Sequence, residues 1–469
     1  MHIDRILDQL DEDQRRVVCE LGRPVSVIAG AGTGKTATLT HRLAYAATTG
    51  QLDPAATLAL TFTTAAAQEL VTRLASMGVP SVQSRTFHSA CLRQAQYFWP
   101  QAYNCSLPPV QADRTGLIAQ ACSTLGLTAT TPIVRQIDQE ISWTKQTNVL
   151  AEQYVDLARA EQRTVAHVAY EQVAEAIVAY EQAKQTACVI DLDDLLLCVV
   201  ALLTTCPEVA RQVRARYRHF VFDEFQDVSP VQSRLVDLWV GDREDVCVVG
   251  DPAQTIHSFA GSRSVYLERF GVRHARTSEL TLTRNYRSTP QILHVANAVT
   301  SSVQLTATLP PGAPVTFAAS PSRLDEAEAI VAWVKQVHHD GVDWSDIALL
   351  WRTHGQAASI RQILTENHVP FVCNVNEVGS PRDGIHLGTL HASKGQQWLV
   401  VGLCGLSDSS LPHPLATSPA QLAEEKRLLY VGVTRARSLL RLSWPTQVDG
   451  RITAVSRFVA PLWQAGGRL

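Results

Sequence analysis

Lysine is nearly missing from this 469-residue chain: there are six, and arginine supplies the other 35 of its 41 positive charges. Set against 44 acidic residues, this leaves a formal net charge of −3. The chain therefore lacks the overall basic character of a nucleic-acid binder, and any grip on phosphates has to be local. The ten cysteines contain no C-x-x-C pair, which argues against zinc and iron–sulfur centres. A chain of this size needs no disulfide framework, so a reduced, cytoplasmic setting is expected. Long apolar runs are also absent. The longest, LLLCVVALL at 195–203, is far too short to span a bilayer, and no membrane association is expected. The N-terminal MHIDRILDQLDEDQ is acidic and helical in pattern, unlike a signal peptide.

What is there looks globular, 46% apolar and 18% charged, and long enough for two or more domains. Short apolar runs alternate with helical patterns at both ends. VSVIAG (25–30), TLALTFT (57–63), HFVFD (219–223) and VCVVGD (246–251) read as buried strands. DIALLWR (346–352), GIHLGTLH (384–391), WLVVGLCGL (398–406) and SLLRLSW (438–444) form a second series. This alternation predicts an α/β chain with two parallel sheets. From about 92 to 206 the strand signal gives way to an Ala/Gln-rich helical pattern, and TLPPGAPVTF (308–317) reads as a loop or domain seam.

Two stretches carry chemistry. In VIAGAGTGKTATLTHRL a strand enters a glycine-rich turn, Ala29, Gly30, Ala31, Gly32, Thr33 and Gly34, before Lys35 and Thr36 open a helix. Glycines let backbone N–H groups curl around phosphate oxygens, and a helix N-terminus favours anions. Lys35 is placed to reach the β/γ-phosphates and Thr36 to hold Mg²⁺. The first glycine of the usual phosphate-loop pattern is Ala29 here. In FVFDEFQDVSPVQ an apolar strand ends in Asp223 and Glu224. Next to a phosphate loop, Asp223 reads as a Mg²⁺ ligand and Glu224 as the group that orients and deprotonates an attacking water. Standing alone, the same acids would be an exposed turn capping the next helix. No N-K-x-D guanine signature occurs, so ATP is the expected nucleotide. Gln254, after the next strand, is placed to sense the γ-phosphate. Arg287 in LTRNYRS and Arg435 in YVGVTRAR offer cations for the transferring phosphoryl group. RQVRARYRH (211–219) reads as a solvated helix face rather than a basic patch.

LDEDQRRVV, AGAGTGKT, LTFTTAAAQEL, RTFHSACLR, VFDEFQD, GDPAQTIHSFAG, LTRNYRS, GTLHASKG and EEKRLLYVGVTRARS occur in this order. Together they resemble the UvrD/Rep-like helicases of superfamily 1. The resemblance implies two RecA-like P-loop domains, with ATP and Mg²⁺ as cofactors and 3′-to-5′ movement on single-stranded DNA coupled to strand separation. It assigns 1–91 and 207–283 to the first domain and 92–206 to a helical accessory subdomain inserted in it. It assigns 284–469 to the second domain. Carried over motif by motif, Gln14 reads the adenine edge and Tyr286 stacks on the base. The DNA track is Phe62, Thr86, His88, His257, Phe259, Arg352, Thr389 and His391. Aromatic faces and short polar contacts suit a strand read without regard to sequence.

Ala37 and Ala260 stand where the family commonly has arginines, His257 where a tyrosine is usual, and Gln397 where a glutamate often meets the ribose. These departures remove no catalytic group, but they bear on how DNA binding couples to hydrolysis. The family's large insert in the second domain is reduced here to a loop near 375–383, because VPFVCN (369–374) reaches GIHLGTLHASKG (384–395) through nine residues. The expected partners are single-stranded DNA and single-/double-strand junctions, with a cytoplasmic, nucleoid-associated location in DNA repair, recombination or replication. Two other readings stay open. One is the motor subunit of a nuclease–helicase or phage-defence complex, working with a nuclease or repair protein; the other is an ATP-driven DNA-binding switch.

Overall fold

The computed structural model describes residues 3–300, 302–373 and 383–466. Two compact units emerge. One comprises Met1–Ile28, Lys35–Gly250 and His257–Leu280; the other comprises Ala29–Gly34, Asp251–Ile256 and Thr281–Leu469.

The first unit is built on six strands: β1 (Val25–Ala29), β2 (Thr57–Thr61), β3 (Gln83–Thr86), β4 (His219–Phe222), β5 (Val246–Gly250) and β6 (Ser278–Leu282). Their order in the sheet is β3-β2-β4-β5-β1-β6. The β1–β5, β2–β3, β2–β4 and β4–β5 pairs are all parallel. β2 and β5 are buried along their whole length, which is why they appear as unbroken apolar runs. Beneath the sheet the rings of Phe87, Phe222 and Trp239 stack at centroid separations of 6.1 and 6.0 Å. Because the paired strands are parallel, Ala29, Thr61, Thr86, Phe222 and Gly250 all end at one edge. The loops leaving that edge are where α/β sheets place ligands.

Between β3 and β4 the chain is helical apart from the two-residue strands Val110–Gln111 and Ile190–Asp191. Ile118, Ile137, Ile141, Trp143, Tyr154 and Tyr180 form a core of their own. The flanking helices Phe87–Tyr103 and Leu192–Thr205 instead put Ala95, Leu195 and Val199 into the core under the first sheet.

The second unit holds β7 (Thr316–Ser320), β8 (Ile347–Trp351), β9 (Phe371–Val372), β10 (Ile385–Thr389), β11 (Trp398–Leu403) and β12 (Ala436–Pro445). Their order is β7-β12-β11-β8-β10-β9, parallel throughout. Of the two readings of the proline-bearing 308–317 stretch, the loop holds: it lies inside this unit and runs without helix or strand up to β7. The short loop expected near 375–383 lies, except for Asp383, outside the described residues. Among the described residues no helix is long and apolar enough to cross a membrane.

Candidate functional site

The glycine-rich turn leaves β1 at the sheet's carboxyl edge and delivers Lys35 and Thr36 to the first turn of helix Lys35–Thr48. Inside the turn Thr33 Oγ1 donates to the Gly30 carbonyl at 2.8 Å. Gly32 sits at φ +71°, and a Cβ there would lie 2.5 Å from Asn285 Nδ2 and 2.8 Å from Arg287 Cβ. Glycine is therefore required at 32 on two counts: backbone conformation and close approach.

Two edge-mates of that helix start come from the end of β4. Thr36 Oγ1 donates to Asp223 Oδ2 at 3.5 Å, and Lys35 Nζ stands 3.9 Å from Glu224 Oε1. Asp223 is 8% exposed. Burial, with the neighbouring Glu224 charge adding to it and Lys35 opposing, pushes its carboxyl up to about 7. Glu224 adopts φ +53°, a left-handed conformation that costs a non-glycine residue about 1 kcal/mol. The turn is fixed from both sides: Glu224 N–H donates to Asp223 Oδ1 at 2.9 Å, and Gln226 Nε2 donates to Glu224 Oε2 at 2.6 Å. Strain held in place by surrounding hydrogen bonds is typical of functional turns. A buried carboxylate with a raised pKa beside a threonine hydroxyl is a hard-oxygen donor set that a divalent cation would relieve, so these residues fit Mg²⁺.

Within the second unit the polar segment after β5 meets the arginine that precedes β12. Arg435 is 1% exposed, yet its guanidinium is fully engaged. Nε donates to the Val431 carbonyl at 2.8 Å, Nη1 to the Gln396 carbonyl at 3.0 Å and Nη2 to Gln254 Oε1 at 3.3 Å. Gln254 in turn donates to Asp251 at 2.8 Å. Arg287 Nη1 donates to the Thr434 carbonyl at 3.2 Å. Tyr286 leaves its ring 44% exposed while its N–H donates to the Gly32 carbonyl at 2.9 Å. Gln14 forms a capping box with Asp11, which commits its side-chain oxygen to the Asp11 N–H at 3.2 Å.

The expected DNA-track residues fall into two groups. In the first unit Phe62 follows β2 and is 39% exposed, and Thr86 ends β3, caps the next helix and stands one residue from His88. Burial lowers the His88 pKa against the opposing Asp193 and Asp191 charges. His257 and Phe259 lie edge to face at 5.8 Å, and Phe259 is 44% exposed. In the second unit Arg352 follows β8 and Thr389 ends the adjacent β10 at the same sheet edge, with His391 just beyond. Arg352 is clamped by Glu425, with Nε–Oε2 at 2.9 Å and Nη2–Oε1 at 2.6 Å. Thr389 is buried, and its hydroxyl accepts from the Ala392 N–H at 3.2 Å.

Sequence reasoning missed several groups that shape these constellations. Asn285, 1% exposed, donates to the Ala31 carbonyl at 2.6 Å and accepts from the Arg287 N–H at 2.8 Å, tying the phosphate loop to an arginine. Tyr430 OH accepts from the Ala31 N–H and donates to Asp251, each at 3.4 Å. Lys394 and Arg427 donate to the carbonyls of Gln254 and Thr255, both at 2.7 Å. Each lies within or beside a motif already quoted. Nothing in the sequence, however, separates a side chain that touches substrate from one that holds the loop.

Residues 10–274 match the UvrD/REP helicase N-terminal domain, and 280–379 together with 374–447 match the UvrD-like helicase C-terminal domain. The ATP-dependent DNA helicase UvrD2 of Mycobacterium tuberculosis is 32% identical across 94% of this chain and 79% of its own length. UvrD2 of Mycobacterium bovis gives the same values. The ATP-dependent DNA helicase UvrD1 of Mycobacterium leprae is 30% identical over 79% of this chain but only 50% of itself.

Proposed function

The chain belongs to the UvrD/Rep family of helicases, and from that premise we propose that it is an ATP-dependent DNA helicase that travels 3′ to 5′ along single-stranded DNA. The observation that carries the reading is the Asp223–Glu224 pair at the carboxyl edge, Asp223 buried and Glu224 half-buried, facing Lys35 and Thr36 directly after a glycine-rich turn. Lys35 binds the β/γ-phosphates. Glu224, held in its left-handed turn by Gln226, orients a water and takes its proton. Arg435 and Gln254, already hydrogen-bonded to each other, report and neutralise charge on the γ-phosphate, with Arg287 beside Thr434 as the second cation. Thr36 and Asp223 would hold Mg²⁺, which when bound would neutralise phosphate charge. Gln14 and Tyr286 take the base. Phe62, Thr86, His88, His257, Phe259, Arg352, Thr389 and His391 form the DNA track, with bases stacking on the exposed rings of Phe62 and Phe259. Arg352 contributes from within its Glu425 clamp, as a positioned polar surface rather than a mobile charge. Residues 92–206 serve as the accessory subdomain of the first motor domain.

A second reading concerns the partner. The C-terminal domain match is broken into two segments that meet at 374–379, and the UvrD2 alignment runs to 555 residues although this chain has 469. This supports the loss of a large block at that point, and with it a duplex contact that a nuclease or repair protein supplies in trans. Strand displacement on duplexes with a 3′ tail, a 5′ tail or none separates the readings. Opening of the 3′-tailed duplex alone is expected of an autonomous helicase. DNA-stimulated ATP hydrolysis without opening marks a translocase that works through a partner, and opening of the 5′-tailed duplex would overturn the polarity.

A further inference from the structure

One arginine of the helical region is held unusually tightly for a residue that follows a helix end. Arg163 presents its planar fork to Glu140, with Nε–Oε2 at 2.7 Å and Nη2–Oε1 at 2.8 Å, while Cζ lies 4.4 Å from the centroid of the Trp143 ring. Glu140 is 5% exposed and also accepts from Tyr154 OH at 3.0 Å, so the pair belongs to the helical core. The second Nη2 hydrogen points away from that core and is donated to the Phe259 carbonyl at 3.0 Å. Only a guanidinium can do all this at once, because its donors are fixed in a plane and its face can stack. The neighbouring residues approach just as closely. Gly261 is at φ +94°, and a Cβ there would lie 3.2 Å from Thr147 Cγ2 and 3.3 Å from Gln146 Cβ. On the other side Ser262 Oγ donates to the Asp227 carbonyl at 2.8 Å. The Ser258–Ala260 turn is thus held at Phe259 and Gly261 by the helical region and, one residue further on, at Ser262 by the chain of the acidic turn.

We propose that Arg163 is a positioning residue that fixes the Ser258–Ala260 turn, and with it the exposed Phe259 ring, so that single-stranded DNA meets a preset aromatic face. The proposal rests on the reading of Phe259 as a DNA contact. A fixed ring loses little freedom when a base stacks on it, whereas a loose turn must be ordered each time. Arg163 therefore acts on DNA affinity, not on the chemistry of ATP.

The test is ATP turnover as a function of oligothymidylate concentration. The variant is Glu140→Gln/Arg163→Met, which removes both charges together so that no unpaired carboxylate is left in the core. The half-saturating oligothymidylate concentration is expected to rise about tenfold, while DNA-free turnover and turnover at saturating DNA stay near wild type. In a Phe259→Ala background the same change is expected to have less than its full effect, because the ring being positioned is gone. Arg163→Lys, which keeps the charge but not the planar fork, is a milder second variant expected to shift the same parameter. An unchanged half-saturating concentration in both variants, with Phe259→Ala shifting it, overturns the role of Arg163 and leaves the DNA contact standing. No shift with Phe259→Ala overturns the contact itself, and the positioning role with it.

Discussion

Two groups of acids in the first unit, each centred on a buried aspartate, have opposite electrostatics. In the helical region Asp191, 1% exposed, takes Lys145 Nζ at 2.5 Å, Tyr180 OH at 2.7 Å and Arg114 Nη1 at 3.3 Å. Lys184 bridges Asp191 and Asp194, and Lys145 reaches Asp194 at 2.7 Å and Glu181 at 2.9 Å. Burial alone would raise the Asp191 pKa, but Lys145 and Lys184 overcome it and hold the carboxyl well below the usual range. The oxygens of Glu181, Asp191 and Asp194 are close enough together to hold a metal ion, yet ammonium groups already fill that role. At the sheet edge Asp223 is pushed the other way, up to about 7 by burial and Glu224, with Lys35 opposing. The first cluster is a structural network in which cations outweigh burial at Asp191; in the second, burial and Glu224 outweigh Lys35 at Asp223. The balance between burial and neighbouring charge, not the presence of carboxylates, separates the two.

The largest effect expected from breaking this comparison is on turnover. Glu224→Ala or Lys35→Ala removes a group that acts on the reacting phosphate, so ATP hydrolysis should fall by about 10³-fold. Glu224→Ala also removes the Gln226 hydrogen bond, so stability should fall by about 1 kcal/mol, a small loss beside that in turnover. Near-normal turnover in Glu224→Ala would show that water activation lies elsewhere.

The opposite pattern is expected in the helical cluster. Asp191→Asn leaves Lys145 and Lys184 with less compensation in the core and should cost about 3 kcal/mol of stability. Chemical denaturation should record that loss while the folded fraction keeps its ATP turnover. If turnover collapses and stability holds, Asp191 belongs to the chemistry and the contrast between the two clusters fails.

Why sequence showed one cluster and hid the other is a matter of locality. The acidic pair follows a buried strand and pairs in pattern with a glycine-rich turn, both readable within a few residues. The Lys145–Asp191 network joins helices 131–147, 170–186 and 192–205, and no local spacing announces such a meeting. The strands divide in the same way. All eight apolar runs read as strands are strands, whereas β3, β6, β7 and β9, which carried no such run, are the four sheet edges. An edge strand has fewer neighbours and keeps polar, half-exposed positions, as the pattern of β6 shows. The loop-holding roles of Asn285 and Tyr430 were hidden for the reason that hid the lysine network: their partners lie far away in sequence.

The smallest effect expected measures the Asp223 environment most directly. The usual aspartate value is 3.8 and that of folded Asp223 is about 7, so the native state binds this proton more tightly than the unfolded chain does. Stability from the protonated group is fully present below pH 4 and is lost as pH rises through 7. In chelator, Asp223→Asn should match wild type near pH 4 and exceed it by about 1–2 kcal/mol at pH 8. That is less than the full rise would give, because the Glu224 and Lys35 charges act on the same carboxyl. Mg²⁺ narrows the gap. At about ten times its dissociation constant it should stabilise the wild type by roughly 1.4 kcal/mol, do much less for Asp223→Asn, and act undiminished on Asp191→Asn. Equal responses of the two aspartate variants to Mg²⁺ would mean that the ion is not held by Asp223, and that the raised pKa of this carboxyl serves something other than the metal.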